Sequence, residues 1–404
     1  MSKAQILGVG MTPFGRHYDS SVKELTQAAV ARALKDAGIS PEQVDAVFFA
    51  NATQGILQNQ TMVAGQVALL GTGIHEVPVV NVENACASGS SAFKLATTSV
   101  RAGESRVALA VGVEKMNIPE SSGFPHIFTG AYDQEVTGGL EAVLAEIGGT
   151  VADDNVGNRS IFMDIYSAWA RGHMEKYGTT QEQIAAVAAK NHAHAVGNEY
   201  AFFRKAMTIE DVLGGRNLLH PLTVPMCAPL TDGAAAVVVA APGEIKTQSI
   251  PIEIQAVEVA TSTRSTSSDS ATPVTRRAAQ RAYERSGLSP EDVDVTEVHD
   301  ATAFGEIQIS ENLGYFAPGD GGPAALQGET SITGSKPINL SGGLESKGHP
   351  IGATGLSQIS EVVRQLRGQA GDNQLDSPQI GLCENGGGFL GKEEAVAVVS
   401  ILSR

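Results

Sequence analysis

Arg32-Ala-Leu-Lys-Asp-Ala-Gly-Ile-Ser-Pro-Glu-Gln-Val-Asp45 returns 249 residues later as Arg281-Ala-Tyr-Glu-Arg-Ser-Gly-Leu-Ser-Pro-Glu-Asp-Val-Asp294. Arg, Ala, Gly, Ser, Pro, Glu, Val and Asp stand at matching places in both copies. Each copy ends a helix at a glycine, which enters the left-handed conformation of a C′ residue at little cost, and then turns through Ser-Pro-Glu into a strand. A match of this kind is the mark of an internal duplication. It predicts a chain of two like halves, each with a helix, a turn, a strand and then a functional stretch.

Around the first copy, Ile6-Leu-Gly-Val-Gly10 reads as a strand, Val22 to Ala37 as an amphipathic helix, and Val44 to Ala50 as a strand. Val77-Pro-Val-Val-Asn81 is expected to be a short buried strand and Val107 to Val113 the next one. Around the second copy, Pro251 to Val257, Val295 to Val298 and Ala395 to Ile401 read as strands, while Ala234 to Ala240 closes the first half. Strands alternating with helices imply mixed or parallel sheets covered by helices. Residues 117–229 lack this order and read as an inserted loop domain with helices over Ile161–Tyr177 and Gln181–Val196. The expected organisation is therefore 1–116 completed by 230–248, then 117–229 as the insertion, and 249–404 as the second half. The polar run Thr261 to Ser270 reads as a solvated loop.

Length and composition narrow the function. The 404 residues suggest two or three domains, and 42% hydrophobic with 18% charged residues supply an ample core. A net charge of −16 argues against nucleic acid or an anionic membrane surface as a general partner. Three widely separated cysteines make neither a disulfide framework nor a zinc site, so no metal is expected. No run of 18 apolar residues occurs, Met1 to Gly8 does not read as a signal segment, and Ile401-Leu-Ser-Arg404 is not a peroxisomal address. The expectation is a cytoplasmic enzyme with no membrane insertion.

Cys86 stands in Asn81-Val-Glu-Asn-Ala-Cys-Ala-Ser-Gly-Ser-Ser-Ala-Phe93, just ahead of a helix of almost entirely small side chains. A helix that slim can pass through a crowded interior, and its unpaired N–H groups would favour a thiolate at Cys86. On this stretch alone, both a nucleophile and a buried structural cysteine remain open. Three further stretches stand in the second half. Val298-His-Asp-Ala-Thr-Ala-Phe304 follows a strand, Ser341 to Gly355 holds His349 in a glycine-rich loop before a helix, and Leu382-Cys-Glu-Asn-Gly-Gly-Gly388 carries Cys383. Functional groups of open α/β sheets collect at strand ends, and glycines let backbone N–H groups approach a ligand.

Taken together these stretches resemble the thiolase superfamily, in particular its sterol-carrier-protein-2-type and archaeal-type, acetyl-CoA acetyltransferase-like members. The resemblance is carried by Asn84-Ala-Cys86-Ala-Ser-Gly-Ser-Ser, Pro229-Leu-Thr-Asp-Gly-Ala-Ala, Val298-His-Asp300, Ser341-Gly-Gly-Leu-Glu-Ser-Lys-Gly-His349-Pro-Ile-Gly-Ala-Thr-Gly and Cys383-Glu-Asn-Gly-Gly-Gly. It implies a five-layer α-β-α-β-α fold of two duplicated halves with an inserted loop domain. It implies an acyltransferase of lipid metabolism that cleaves 3-ketoacyl-CoA with CoA, or runs the reverse Claisen condensation of two acyl-CoAs, through an acyl-Cys86. CoA thioesters would be substrates, and no cofactor is expected.

By the same resemblance His349 accepts the proton of Cys86, and Cys383 moves the α-proton of the second acyl-CoA. His299 and His349 would form one oxyanion hole, and the backbone N–H groups of Cys86 and Asn385 the other. Two departures stand out. Ala301 follows His-Asp where sterol-carrier-type members have cysteine, and Asn385 replaces a glycine of the common Cys-x-Gly. Cys227 reads as a channel wall and Ala228 and Gly386 as substrate contacts, with Arg204 and Lys205 as candidates for the CoA phosphates. A homodimer or dimer of dimers is implied. The alternatives are a thiolase-fold aldolase, or a non-catalytic acyl or lipid carrier, working with a partner chain that has an OB-like module. The aldolase branch replaces the catalytic histidines with tyrosines, and Cys86, His299 and His349 count against both.

Overall fold

The computed structural model describes residues 3–118, 124–149, 160–262 and 272–404, so the polar run lies outside the described residues from position 263 onward. Eleven strands are found among them: β1 (Gln5–Met11), β2 (Ala46–Ala50), β3 (Val79–Val82), β4 (Val107–Glu114), β5 (Asn217–Leu219), β6 (Leu222–Thr223), β7 (Gly233–Ala240), β8 (Ile252–Thr261), β9 (Val295–Glu297), β10 (Ile380–Gly387) and β11 (Val396–Ser403). Nine of them run in the order β3-β2-β4-β7-β1-β8-β11-β10-β9. The duplication is visible in that order. β2 is parallel to β3 and β4, and β7 is antiparallel to β4 and β1. In the second half β9 is parallel to β10, and β11 is antiparallel to β10 and β8. Ile338 forms a parallel bridge to Thr296, where β3 stands in the first half. The halves meet through two pairs of β1 and β8, Gln5 with Glu253 and Ile6 with Ile252.

Strand alternation sorts the core against the large sheet into three clusters, and these give the five layers. Val107, Leu109, Val111 and Val113 pack under the helix Val22–Ala37. Ala108 and Ala110 face the opposite way, onto the paired helices Ser88–Ala102 and Ile351–Arg367. Cys383, Val396 and Val398 cover that pair from the second half, while Leu382, Ala397, Val399 and Ile401 face the outer helix Val274–Ser286. The two repeat helices are the outer layers, each ending at a glycine with positive φ, Gly38 at 71° and Gly287 at 72°.

The central layer is possible only with small side chains. A Cβ on Gly112 would lie 2.0 Å from the carbonyl oxygen of Gly352, and one on Gly89 would lie 2.9 Å from the same oxygen. The two helices and β4 therefore touch backbone to backbone, which brings the segments that precede both helices, carrying Cys86 and His349, to one end of the layer.

One expectation is corrected here. β3 is a partly exposed edge strand, with Val80 45% exposed, because β2 covers only one of its sides. The second helix of the insertion is also shorter than expected. It runs Gln181–His194 and is followed by a 3-10 turn, Ala195–Gly197. Both insertion helices, Ile161–Tyr177 and Gln181–His194, contribute to a core shared with Phe304 and Ile307 of the helix Ala303–Asn312.

Candidate active site

Cys86 is presented by a knot of polar contacts between β3 and the slim helix. Asn84 N–H donates to the Ser88 hydroxyl (2.9 Å), which donates to the Ala85 carbonyl (2.6 Å), and Asn84 Nδ2 donates to Ser91 Oγ (2.8 Å). These bonds hold Ala85 at φ +48°, a conformation a non-glycine residue adopts only at a cost of order 1 kcal/mol. The turn leaves Cys86 buried just ahead of the helix, at the cavity wall.

His349 ends the glycine-rich loop. Its backbone N–H donates to Thr231 Oγ1 (2.8 Å), and Nδ1 lies 2.7 Å from Thr354 Oγ1. Thr354 has one hydroxyl proton and a second acceptor in reach, the Pro350 carbonyl at 3.0 Å; with the proton on that carbonyl, its oxygen accepts Nδ1–H. That arrangement leaves Nε2 as a lone-pair acceptor. His299 follows β9, and its N–H donates to Glu384 Oε2 (3.2 Å). Its Nε2 stands 3.4 Å from Nε2 of His349.

The Cys86, His299 and His349 ligand atoms all lie within 4.8 Å of one another, and all three residues are buried. Cysteine and histidines at such spacing are also a zinc donor set. A metal held there would consume the sulfur and the Nε2 lone pair that a nucleophile and its base need. The trio borders a cavity of about 360 Å³. Its walls are Phe128, Phe162, Tyr166, Trp169 and Phe203 with Met116, Leu218 and Leu230, and the exposed Arg16 and Arg216 also line it. Tyr166 and Trp169 meet edge to face at 5.3 Å, and Trp169 leans on Phe389 at 5.7 Å.

Residues 4–212 match the profile described as thiolase, N-terminal domain, and residues 256–404 that described as thiolase C-terminal domain-like. The chain belongs to the thiolase family. It is 35% identical to an acetyl-CoA acetyltransferase of Methanothermobacter thermautotrophicus, over 100% of both chains. It is 33% identical to sterol carrier protein 2 of Oryctolagus cuniculus, over 94% of this chain and 69% of that protein. It is 32% identical to the benzoylsuccinyl-CoA thiolase subunit BbsB of Thauera aromatica, over 96% and 95% of the two chains. A solved structure titled Ltp2-ChsH2(DUF35) aldolase superposes with a TM-score of 0.79 at 24% identity, covering 99% of this chain and 97% of that one, a likeness of fold.

Within this thiolase fold the expected residues do not all converge. Cys227, Ala228 and Ala301 border the cavity with the trio. Cys383 does not. It is packed in the central-layer core, 2% exposed, four residues before Gly387 on the same face of β10. Four residues of strand span about 13 Å. It is Gly387 whose missing Cβ would sit 2.4 Å from the Asn84 carbonyl and 2.8 Å from the Ala87 nitrogen. The backbone beside Cys86 is therefore that of Gly387 and Gly388, rather than of Asn385, whose side chain accepts from Ser90 Oγ (3.0 Å) deep in the layer. Gly386 makes room for a carboxylate instead of touching the cavity, since a Cβ there would lie 2.0 Å from Glu394 Oε1. Arg204 is exposed, its guanidinium bound to the Val196 carbonyl, and neither it nor Lys205 lines the cavity, where Arg16 and Arg216 stand. Sequence reasoning missed those arginines, the aromatic wall and Glu394. The wall had a signal, since Phe162, Tyr166 and Trp169 recur at helical spacing.

The expected helix-stabilised thiolate is also corrected. Burial first, then the charges of Glu394, Glu114 and Glu83, push the Cys86 thiol up to about 12. Burial, then the neighbouring His299, hold His349 well below the usual histidine range. The resting pair is thus neutral thiol and neutral imidazole, and the thiolate fraction at pH 7 is on the order of 10⁻⁵. Alkylation of Cys86 by iodoacetamide, followed by peptide mass spectrometry, is expected to rise about tenfold per pH unit from pH 7 to 10. A plateau across that range would mean a preformed thiolate–imidazolium pair instead.

Proposed function

We propose that the chain is a thiolase acting on 3-ketoacyl-CoA, or on two acyl-CoAs in the condensing direction, through a thioester on Cys86. The observation that carries this reading is the buried trio, in which the ligand atoms of a thiol and two imidazoles lie within 4.8 Å of one another, so that an imidazole nitrogen is in reach of the thiol proton. In that reading His349 Nε2 takes the S–H proton as sulfur attacks the carbonyl carbon. The leaving fragment is an enolate, whose oxygen meets the Nε2–H of His299. The backbone of Cys86, Gly387 and Gly388 stands where the thioester oxygen needs donors. One well-placed donor of this kind is worth about 10²–10³ in rate.

The aromatic wall favours an apolar acyl group bulkier than acetyl, and the exposed Arg16 and Arg216 offer charge for CoA phosphates. The buried phenol of Tyr166 is pushed well above the usual tyrosine range, first by burial and next by Glu394, so it is a neutral wall group at pH 7. A pair of chains across β3 fits the same reading: the edge is open, and Met62, Val63, Leu70 and Val80 nearby are exposed.

The test is a panel of 3-ketoacyl-CoAs of rising size, incubated with CoA, with cleavage followed by loss of substrate. CoA-dependent cleavage with a preference for apolar acyl groups beyond four carbons is the expected result. Cleavage independent of CoA, or none with any member, would overturn it.

A further inference from the structure

Condensation or cleavage needs a second proton carrier, because His349 is engaged with Cys86. Ala301 has no ionisable group, and Cys383 is held in the core and pushed further from ionisation, by burial and then by Glu297. Cys227 Sγ donates to the Thr223 carbonyl at 3.5 Å and is likewise pushed up by burial. Among the described cavity-lining residues one carboxyl group remains, that of Glu394.

Its placement is specific. Glu394 stands in the turn joining β10 to β11 and folds back onto Gly386, the only residue type that leaves space for its carboxylate there. Oε2 accepts from the Thr275 hydroxyl at 3.2 Å. Oε1 points at Nδ1 of His299, 3.7 Å away, a buried nitrogen with no hydrogen-bond partner of its own. The same Thr275 hydroxyl also lies 3.3 Å from Glu384 Oε1, so one proton serves two carboxyl groups. Glu384 is fully buried, and burial followed by the charge of Glu394 pushes its carboxyl well above the usual range. Glu394 is the one of the two that stands beside His299 and lines the cavity.

We propose that Glu394 is the acid/base that moves the substrate α-proton, deepening the thiolase reading on which it rests. In the condensing direction its carboxylate takes the α-proton of the second acyl-CoA. The C–H electron pair becomes the enolate C=C bond, and the charge moves to the thioester oxygen at His299 Nε2–H. The enolate carbon then attacks the acyl carbon on Cys86, the C–S bond breaks, and the sulfur recovers from His349 the proton it gave up when CoA departed as a thiolate in the acylation step; Glu394 releases the α-proton to solvent, from which the departed thiolate is protonated. Cleavage runs the same steps backward, with protonated Glu394 giving its proton to the departing enolate carbon. Thr275, Gly386 and Glu384 are positioning residues for this carboxyl group.

The experiment separates two half-reactions in the purified full chain. Acyl transfer onto Cys86 is read as a mass increase of the intact protein after mixing with an acyl-CoA, acetyl-CoA first and bulkier acyl-CoAs next. Solvent exchange of the α-hydrogens of the same acyl-CoA is read in deuterium oxide. Glu394→Gln keeps the size and the Thr275 contact but removes the base. Exchange is expected to fall at least about hundredfold, the low end of the worth of a general acid/base. Acylation is expected to be no slower, since a negative charge near the Cys86 sulfur has gone. Glu394→Asp should recover part of the exchange. If Glu394→Gln exchanges within about threefold of the parent, or if acylation and exchange fall together, Glu394 is not the base. If the parent takes up no acyl group from any probe, the thiolase reading itself fails, and this inference goes with it.

Discussion

Cys86→Ala is expected to lower CoA-dependent cleavage by at least about 10⁴-fold, the scale on which a deleted nucleophile is felt. It should also abolish the mass increase that an acyl-CoA gives with the parent. The reasoning is local. The placement of Cys86 depends on the Asn84, Ser88 and Ser91 contacts, all of which survive the change. The lost sulfur leaves a void smaller than a leucine-to-alanine cavity, so any destabilisation stays small against a typical fold stability. Binding of CoA should persist, because the aromatic wall, Arg16 and Arg216 are untouched. The variant thus isolates chemistry from folding: unchanged thermal unfolding with no acyl uptake is the expected pair of results. Turnover within about tenfold of the parent would mean that the acyl group is never carried by this sulfur.

Most of the frame was legible in the sequence, because the signals that build it are short-range. A helix stop at Gly38 and Gly287, a Ser-Pro turn and an alternating strand are decided by neighbours along the chain, and the duplication doubled each signal. The slim helix after Cys86 was legible for the same reason. The order of the strands was not, since it depends on pairings such as β1 with β7 that are separated by more than 200 residues. The trio was found because each member sits beside glycines or a strand end. Cys383 shows how such reasoning fails. Cys-x-Asn-Gly-Gly-Gly has the residue types of a catalytic motif, but the strand register carries the glycines, rather than the cysteine, to the site. Glu394 shows the converse, since Gly391-Lys-Glu-Glu394 looks like a solvated charged turn until the fold lays it on Gly386. The thiolate expected at Cys86 failed on electrostatics. A helix terminus favours negative charge by about 0.3–1 kcal/mol at an exposed position, and here burial and three carboxylates oppose it.

In the proposed mechanism, that same electrostatic setting makes His349 indispensable. With the thiol held near 12, no useful thiolate exists at pH 7 unless a base removes its proton during attack. His349→Ala is therefore expected to slow acyl transfer onto Cys86 by about 10³-fold or more at pH 7, at the upper part of the range for general-base loss. The pH dependence carries the sign. In the parent, His349 is held well below the usual range, so it is already the neutral base at pH 6 and the acylation rate should be nearly flat from pH 6 to 8. In the variant the reactive species is the rare free thiolate, whose fraction grows about tenfold per pH unit below its pKa. Its acylation rate should therefore climb steeply from pH 7 to 10 and partly close the gap with the parent. Thr354→Val offers a milder version. It removes the acceptor that holds Nδ1–H, at 2.7 Å, and so lets the imidazole protonate at Nε2 instead. A loss between parent and His349→Ala is expected, because only the fraction with Nε2 free remains active. Rapid-mixing mass spectrometry of the acyl-enzyme at several pH values would read all three proteins. A His349→Ala rate equal to the parent at pH 7, or one that stays flat with pH, would place the base elsewhere.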